Sequence, residues 1–135
     1  MTALFTQEFT AAPHHIDELG HVNNAVWVQW IQDLATLHWD AAARPQDLAQ
    51  FFWVVVRHEI DYRGNIASGD SVIGETWIDG SAQGAKSDRR VDFRDANGKV
   101  IVSARTTWAM LDKESQRLAR VRPEVIAPFQ PSAAT

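Results

Sequence analysis

The sequence predicts an α+β fold in which one curved antiparallel sheet wraps around a single long helix. Two observations support this prediction. Apolar residues recur at helical spacing from Val26 to Ala41, whereas apolar and polar residues alternate with a period of two from Phe52 to Leu111. A helix with one apolar stripe and a single antiparallel sheet can both be buried if the sheet curls around the helix.

The 135 residues are expected to form one domain, residues 1–135, because no internal stretch is rich enough in Gly, Ser or Pro to act as a linker. An apolar fraction of 45% and six tryptophans can supply a core. A domain of this size gains stability by burying surface against a partner, so oligomerisation is expected.

Composition excludes several classes of function. The net charge of −4 argues against a nucleic-acid surface, which needs a basic face. The absence of cysteine excludes disulfides, thiolate metal sites and a cysteine nucleophile. No apolar run approaches the ~20 residues that span a bilayer, and a secretory signal is not recognisable, so a cytoplasmic location without membrane contact is expected.

The first elements are a short strand and the helix. Residues Leu4 to Ala11 favour a strand, and Pro13 then interrupts regular structure. The apolar stripe that starts at Val26 predicts a helix of about 18–20 residues, roughly 30 Å long. Pro45 marks its end, and Asn23 and Asn24 are both suited to cap its start.

Four strands in a meander are predicted after the helix. In the first of them, Phe52, Val54 and Val56 are assigned to the more apolar side together with His58. On the outer face of the sheet, Trp77 and Ile101 are expected to pack against another subunit. The predicted strands and turns are Phe52–Arg63, a Gly69-Asp70 turn, Val72–Asp79, a turn from Gly80 to Gly84, Lys86–Asp95, an Asn97-Gly98 hairpin and Lys99–Leu111.

The segment Asp17 to Asn24 is the best candidate for chemistry. It precedes a helix N-terminus, where unpaired N–H groups and a partial positive charge can hold an oxyanion or a polarised carbonyl oxygen. Gly20 allows a positive φ or a close approach to a ligand. A carboxylate beside such donors suits hydrolysis, although an Asp before a helix is more often a cap or turn residue.

The residues Asp17-x-x-Gly20-His21-Val22-Asn23-Asn24, followed by the aromatic-rich helix, resemble the signature of hotdog-fold acyl-CoA thioesterases of the 4-hydroxybenzoyl-CoA thioesterase type. The resemblance covers residues 5–129. Three further matches are the Gly69-Asp70 turn after Tyr62, Gly84-Ala85-Lys86-Ser87 at the start of a strand, and Arg122-Pro123-Glu124 in the tail.

The resemblance implies that a homodimer or homotetramer hydrolyses a small or medium acyl-CoA without metal or other cofactor. Asp17 takes the position of the catalytic carboxylate, as general base or nucleophile, and the backbone amide of Asn24 polarises the carbonyl. Asn23 fixes the loop, and His21 is a secondary candidate. The remaining implied roles are loop shaping by Gly20 and Val22, an acyl pocket that includes Trp27, completion of the site across a dimer interface near Arg57 and His58, and contacts of surface Lys86, Arg89 and Arg90 with coenzyme A phosphates.

Other readings stay open on the sequence alone. Plant acyl-carrier-protein thioesterases share a similar Asp and His-Val-Asn-Asn arrangement but carry Asn at the position of Leu19, which weakens a direct role for His21. Another hotdog branch places its carboxylate on the long helix, where this chain has Asp33 and Asp40 on the polar side. A hydratase or dehydratase, or a noncatalytic acyl-CoA-binding module, are the alternative functions.

Overall fold

A computed structural model describes residues 4–131, so the ends of the domain predicted over residues 1–135 lie outside the described residues. The fold class is confirmed, because five antiparallel strands form one sheet packed against a long helix. The helices are α1 (Asn24–Ala42), α2 (Pro45–Gln50) and α3 (Pro123–Ile126). The strands are β1 (Phe5–Thr10), β2 (Phe51–Tyr62), β3 (Ser71–Gln83), β4 (Lys86–Arg94) and β5 (Val100–Asp112).

Helix α1 is the central helix that the sequence predicts. Its 19 residues start immediately after Asn23, whose side chain caps the helix by accepting a hydrogen bond from the amide of Ala25 at 2.9 Å. Its apolar stripe is buried against the inner face of the sheet. The buried residues of α1 are Trp27, Trp30, Ile31, Leu34, Ala35 and His38.

The predicted four-strand meander is wrong for β2. The sheet order is β1-β3-β4-β5-β2, so β3, β4 and β5 form a meander while β2 pairs with β5 at the far edge. The segment that leads from β2 to β3 crosses β5, where the amides of Arg63 and Gly64 donate to the carbonyl of Ile101 at 2.8 and 2.9 Å. This segment also covers Ile101, which is buried within the chain. The expectation that Ile101 packs against another subunit is therefore wrong.

The predicted inner face of β2 is wrong in its first half. The register with β5 shifts between Val55 and Arg57, so Val56 is an extra, bulged residue. Before the bulge Trp53 points towards the core, and after it His58 does, while Val54 and Val56 are 41% and 50% exposed. A strict period of two cannot reveal a bulge. One extra residue moves every side chain that precedes it to the opposite face of the sheet.

The core has two parts. The first lies between the N-terminal half of α1 and the sheet, where the Trp27 ring lies 5.1 Å from Trp30 and 5.2 Å from Phe93. The second is closed by α3 and the turn after it, neither of which the sequence predicted, through Val125, Ile126 and Phe129. Within residues 4–131, no helix is both long and apolar enough to span a membrane.

Candidate active site

Residues Asp17 to His21 form a tight loop just before α1. The amide of Asp17 donates to the carbonyl of His21 at 2.9 Å, and the amide of Gly20 donates to the carbonyl of Asp17 at 3.1 Å. Gly20 has a φ of +80°, which confirms the expected need for glycine at this turn. Below the loop, Ile16 and Val22 pair as an antiparallel bridge.

The Asp17 carboxylate has two distinct oxygens. Its Oδ1 accepts hydrogen bonds from the amides of Leu19 at 2.9 Å and His21 at 3.3 Å. Its Oδ2 has no hydrogen-bond partner among residues 4–131. Asp17 is therefore a turn residue, as its position before a helix suggests, but only one oxygen serves the turn. The other remains available to a water molecule or a substrate.

The start of α1 offers one free donor. The side chain of Asn23 satisfies the amide of Ala25, and the carbonyl of Asn23 accepts from Val26 at 2.9 Å. The amide of Asn24 makes no hydrogen bond within the described part of the chain, and Asn24 is exposed. An unpaired N–H at the positive end of a 19-residue helix is suited to receive an oxyanion.

Asn65 holds the loop in place, and sequence reasoning missed it. Its side-chain amide donates to the carbonyl of Val22 at 3.0 Å, while the amide of Val22 donates to the carbonyl of Ile66 at 3.2 Å. Val22 itself is fully buried. Nothing in the sequence distinguishes Asn65 from an ordinary polar residue of a connecting segment.

The histidine before the loop also contributes to its order. The Nδ1 atom of His15 accepts from the amide of Ala12 at 2.9 Å, and the His15 carbonyl accepts from the amide of Asn23 at 3.0 Å. The side chain of His21, in contrast, is exposed and makes no hydrogen bond to residues 4–131. The geometry thus fixes the backbone of His21 but not its imidazole.

Two predicted substrate contacts lie deeper in the molecule. Trp27 is fully buried in the core, and its Nε1 has no partner among the described residues. His58 is half-buried on β2, where its Nδ1 lies 2.9 Å from the hydroxyl of Thr106 and its Nε2 is unpartnered. Burial lowers the pKa of His58 below its ordinary value. Contact of either residue with substrate stays a prediction.

The three predicted phosphate-binding cations do not share one surface. Lys86 is exposed, and Arg90 lies on the outer face of the sheet, where it pairs with Asp79 at 3.1 Å. The expected surface position of Arg89 is wrong, because its side chain points towards α1 and is only 5% exposed. Successive residues of a strand face opposite sides, so Arg89 and Arg90 could not both lie on the surface of this sheet.

A cavity of about 270 Å³ lies elsewhere in the chain, between the C-terminal half of α1, α2 and the adjoining ends of β2, β4 and β5. None of residues 17–24 lines it. The Asp17 loop is instead an open surface feature, and completion of the site by a second subunit stays a prediction.

Comparison with known proteins supports this interpretation of the fold. The sequence pattern of the acyl-ACP thioesterase N-terminal domain family matches residues 2–129. The palmitoyl-acyl carrier protein thioesterase of Arabidopsis thaliana is 32% identical over 82 residues, which are 58% of this chain and 19% of that protein. The chain thus spans about a fifth of the length of the curated relatives it matches.

Solved structures share the fold over nearly the whole chain. An acyl-ACP thioesterase from Bacteroides thetaiotaomicron superposes with a TM-score of 0.81 at 21% identity, covering 96% of this chain and 54% of that one. A Staphylococcus aureus protein with a structure in complex with CoA superposes with a TM-score of 0.79 at 13% identity, covering 98% and 89%. The hotdog fold is therefore confirmed. The family that matches is that of the acyl-ACP thioesterase N-terminal domain, and the more specific 4-hydroxybenzoyl-CoA type is not confirmed.

Proposed function

This chain belongs to the acyl-ACP thioesterase N-terminal domain family, and from that premise we propose that it hydrolyses acyl thioesters with Asp17 as the working carboxylate. The observation that supports this role is the unequal use of the two Asp17 oxygens. Oδ1 is held by two loop amides, which fixes the carboxylate, while Oδ2 has no partner among residues 4–131. A fixed carboxylate with one free oxygen is suited to activate a nucleophile.

In the proposed mechanism, Asp17 acts as the general base and the N-terminus of α1 binds the oxyanion. Oδ2 removes a proton from a water molecule as the water oxygen bonds to the thioester carbonyl carbon. The carbonyl electrons move onto its oxygen, where the N–H of Asn24 and the positive end of α1 stabilise the negative charge. Collapse of this intermediate breaks the C–S bond, and the electron pair leaves with the sulfur. The sulfur then takes up the proton that Oδ2 removed from the water.

Attack by Asp17 on the acyl carbon is the alternative mechanism. It would form a mixed anhydride that water then hydrolyses, giving the same acid and thiol. The two loop amides on Oδ1 keep the carboxylate in one orientation, and both routes would use the free Oδ2. His21 is not required by either route.

The substrate is proposed to be a small or medium acyl group carried by coenzyme A or by acyl carrier protein. The matched family favours the carrier protein, and the S. aureus structure with CoA makes CoA a reasonable second thiol. Lys86 and Arg90 are the proposed contacts for the phosphate that both carriers contain. Trp27 and His58 are proposed to contact the acyl group.

A homodimer is proposed to complete each site, with tetramers as a further option. Strand β2 lies at the edge of the sheet and exposes Val54, Val56 and Tyr62 by 41%, 50% and 42%. A long edge strand with exposed apolar residues is suited to pair with a second copy. At the tip of the Asp17 loop, Leu19 is 78% exposed, which a substrate or partner surface would cover.

A thiol-release assay over acyl-CoA and acyl-ACP thioesters with aromatic, short and long acyl groups tests the proposal. We expect thiol release from at least one series. Tight thioester binding without thiol release from any would overturn hydrolysis in favour of a binding module. Loss of the enoyl absorbance of crotonyl-CoA without thiol release would instead identify a hydratase.

A further inference from the structure

The cavity between α1, α2 and the sheet has an aromatic wall. Its lining includes Trp39, Phe51, Phe52, Trp53 and Trp108. Its volume of about 270 Å³ is near the lower end of the range for small-molecule sites, which starts at about 300 Å³. The walls therefore suit a flat apolar molecule of modest size.

Arg89 brings a positive charge to this cavity. Its Nη1 contacts the Nδ1 of His38 at 2.8 Å and donates to the hydroxyl of Thr76 at 3.1 Å, and its guanidinium carbon lies 5.6 Å from the ring centre of Phe129. No carboxylate pairs with Arg89 among residues 4–131, and its Nε and Nη2 make no hydrogen bond there. A buried cation usually has an anionic partner, and Arg89 has none in the part of the chain that the structure describes.

The charge state of the pair is clear at neutral pH. Burial lowers the pKa of His38 to about 4, with the positive charge of Arg89 as a second cause, so His38 is neutral and its Nδ1 accepts the hydrogen bond. Burial lowers the pKa of Arg89 to about 10, which leaves it charged. The site thus has one net positive charge.

Three buried donors without a partner among the described residues belong to residues that line the same cavity. They are the hydroxyl of Ser87 and the indole N–H groups of Trp53 and Trp108. Ser87 and Arg89 face the same side of β4, and Ser87 is directly opposite Trp108 on β5. Because an unsatisfied buried polar group destabilises a fold, several such groups beside one cavity call for an explanation.

A ligand that fits these observations has an aromatic ring and carries an oxyanion. We propose that the cavity binds an aromatic carboxylic acid, with the carboxylate on Arg89 and beside Ser87 and the ring against the tryptophans. The free edge of an arginine, Nε and Nη2, matches the two oxygens of a carboxylate. An inorganic phosphate would satisfy Arg89 but leave the aromatic wall unfilled.

This inference does not rest on the proposed function, because the cavity excludes residues 17–24. At the rim, Asp40 and Lys113 are exposed and carry one charge of each sign, so the rim adds no net repulsion of an acid. The site is a separate place for an acid within the same domain.

Calorimetric titration of the full chain with phenylacetate and with phenylacetamide tests the proposal. The amide has the same shape but no charge. We expect phenylacetate to bind at least tenfold more tightly and to shift the tryptophan fluorescence. Arg89→Met is expected to remove most of this difference. Arg105→Met is the matched control, because Arg105 pairs with Asp88 on the outer face of the sheet.

Several results would overturn the proposal. They are equal affinity for acid and amide, no binding of phenylacetate at millimolar concentration, wild-type affinity in a folded Arg89→Met variant, or competition by inorganic phosphate at equal strength. If Arg89→Met does not fold, Ser87→Ala decides instead. We expect it to weaken phenylacetate about tenfold and to leave phenylacetamide less affected, and unchanged acid binding would contradict the assignment.

Discussion

Acidification is expected to destabilise this protein through His38. The side chain is buried, only 6% exposed, and its pKa falls from 6.5 to about 4 on folding because burial and the nearby Arg89 disfavour the imidazolium. Below pH 6.5 the unfolded chain therefore gains a proton that the folded chain does not. The stabilisation is fully present above pH 6.5 and is lost progressively as the pH falls towards 4.

The size of the effect follows from the two pKa values. A difference of one pKa unit is worth about 1.4 kcal/mol, so the loss between pH 7 and pH 5 is about 2 kcal/mol and reaches about 3 kcal/mol at pH 4. This is a large part of the stability of an ordinary domain. Most of the loss occurs before the carboxylates begin to titrate, which separates it from general acid unfolding.

Urea unfolding of the wild type and of His38→Asn at pH 7, 6 and 5 measures the effect. Asparagine places an oxygen where His38 has Nδ1, so it can still accept from Arg89 but cannot titrate. We expect the variant to lose about 2 kcal/mol less than the wild type between pH 7 and 5. Equal losses in the two proteins would refute the assignment of the pH dependence to His38.

Substitutions at three further positions test the loop and the edge strand. Asn23→Ala removes the cap on the amide of Ala25, so the free energy of urea unfolding should fall by about 1 kcal/mol, with Asn23→Ser nearly neutral; equal losses would argue against capping. Asn65→Ala removes the bond to the carbonyl of Val22 and should lower thioester turnover while circular dichroism stays native; unchanged turnover would contradict a positioning role. Val56→Lys places a charge on the exposed β2 edge and should shift the mass in sedimentation equilibrium to the monomer, and an unchanged dimer would place the interface elsewhere.

The sequence was sufficient for elements whose signal is local. The period of α1 and the Asn23 cap depend on residues that are neighbours in the chain, and both were predicted correctly. The alternation in β4 also holds, with Val91 and Phe93 inside. Gly20 needs a positive φ for the same local reason.

The errors concern features that depend on distant contacts. Strand β2 pairs with β5, to which no turn connects it in the sequence, and a single bulge at Val56 reverses the faces of the residues in the first half of β2. The burial of Arg89 depends on His38, 51 residues away in the sequence. Neither propensity nor periodicity contains such information.

The candidate site also combines features that depend on neighbouring residues with features that depend on distant contacts. The turn at Gly20 and the cap at Asn23 could be predicted because their signals are local, while Asn65 was missed because it reaches the loop from a segment 43 residues away. The roles of Asp17 and Asn24 in catalysis stay predictions that geometry supports.

The turnover of Asp17→Asn, compared with that of Glu18→Gln, tests the central claim most directly. Asparagine keeps the Oδ1 that accepts from Leu19 and His21, so the loop should stay intact, and the neighbouring Glu18 is exposed and makes no hydrogen bond within the described residues. On a responsive thioester, thiol release should fall by about 100-fold or more in Asp17→Asn and stay near wild type in Glu18→Gln. Wild-type turnover in a folded Asp17→Asn variant would contradict the account.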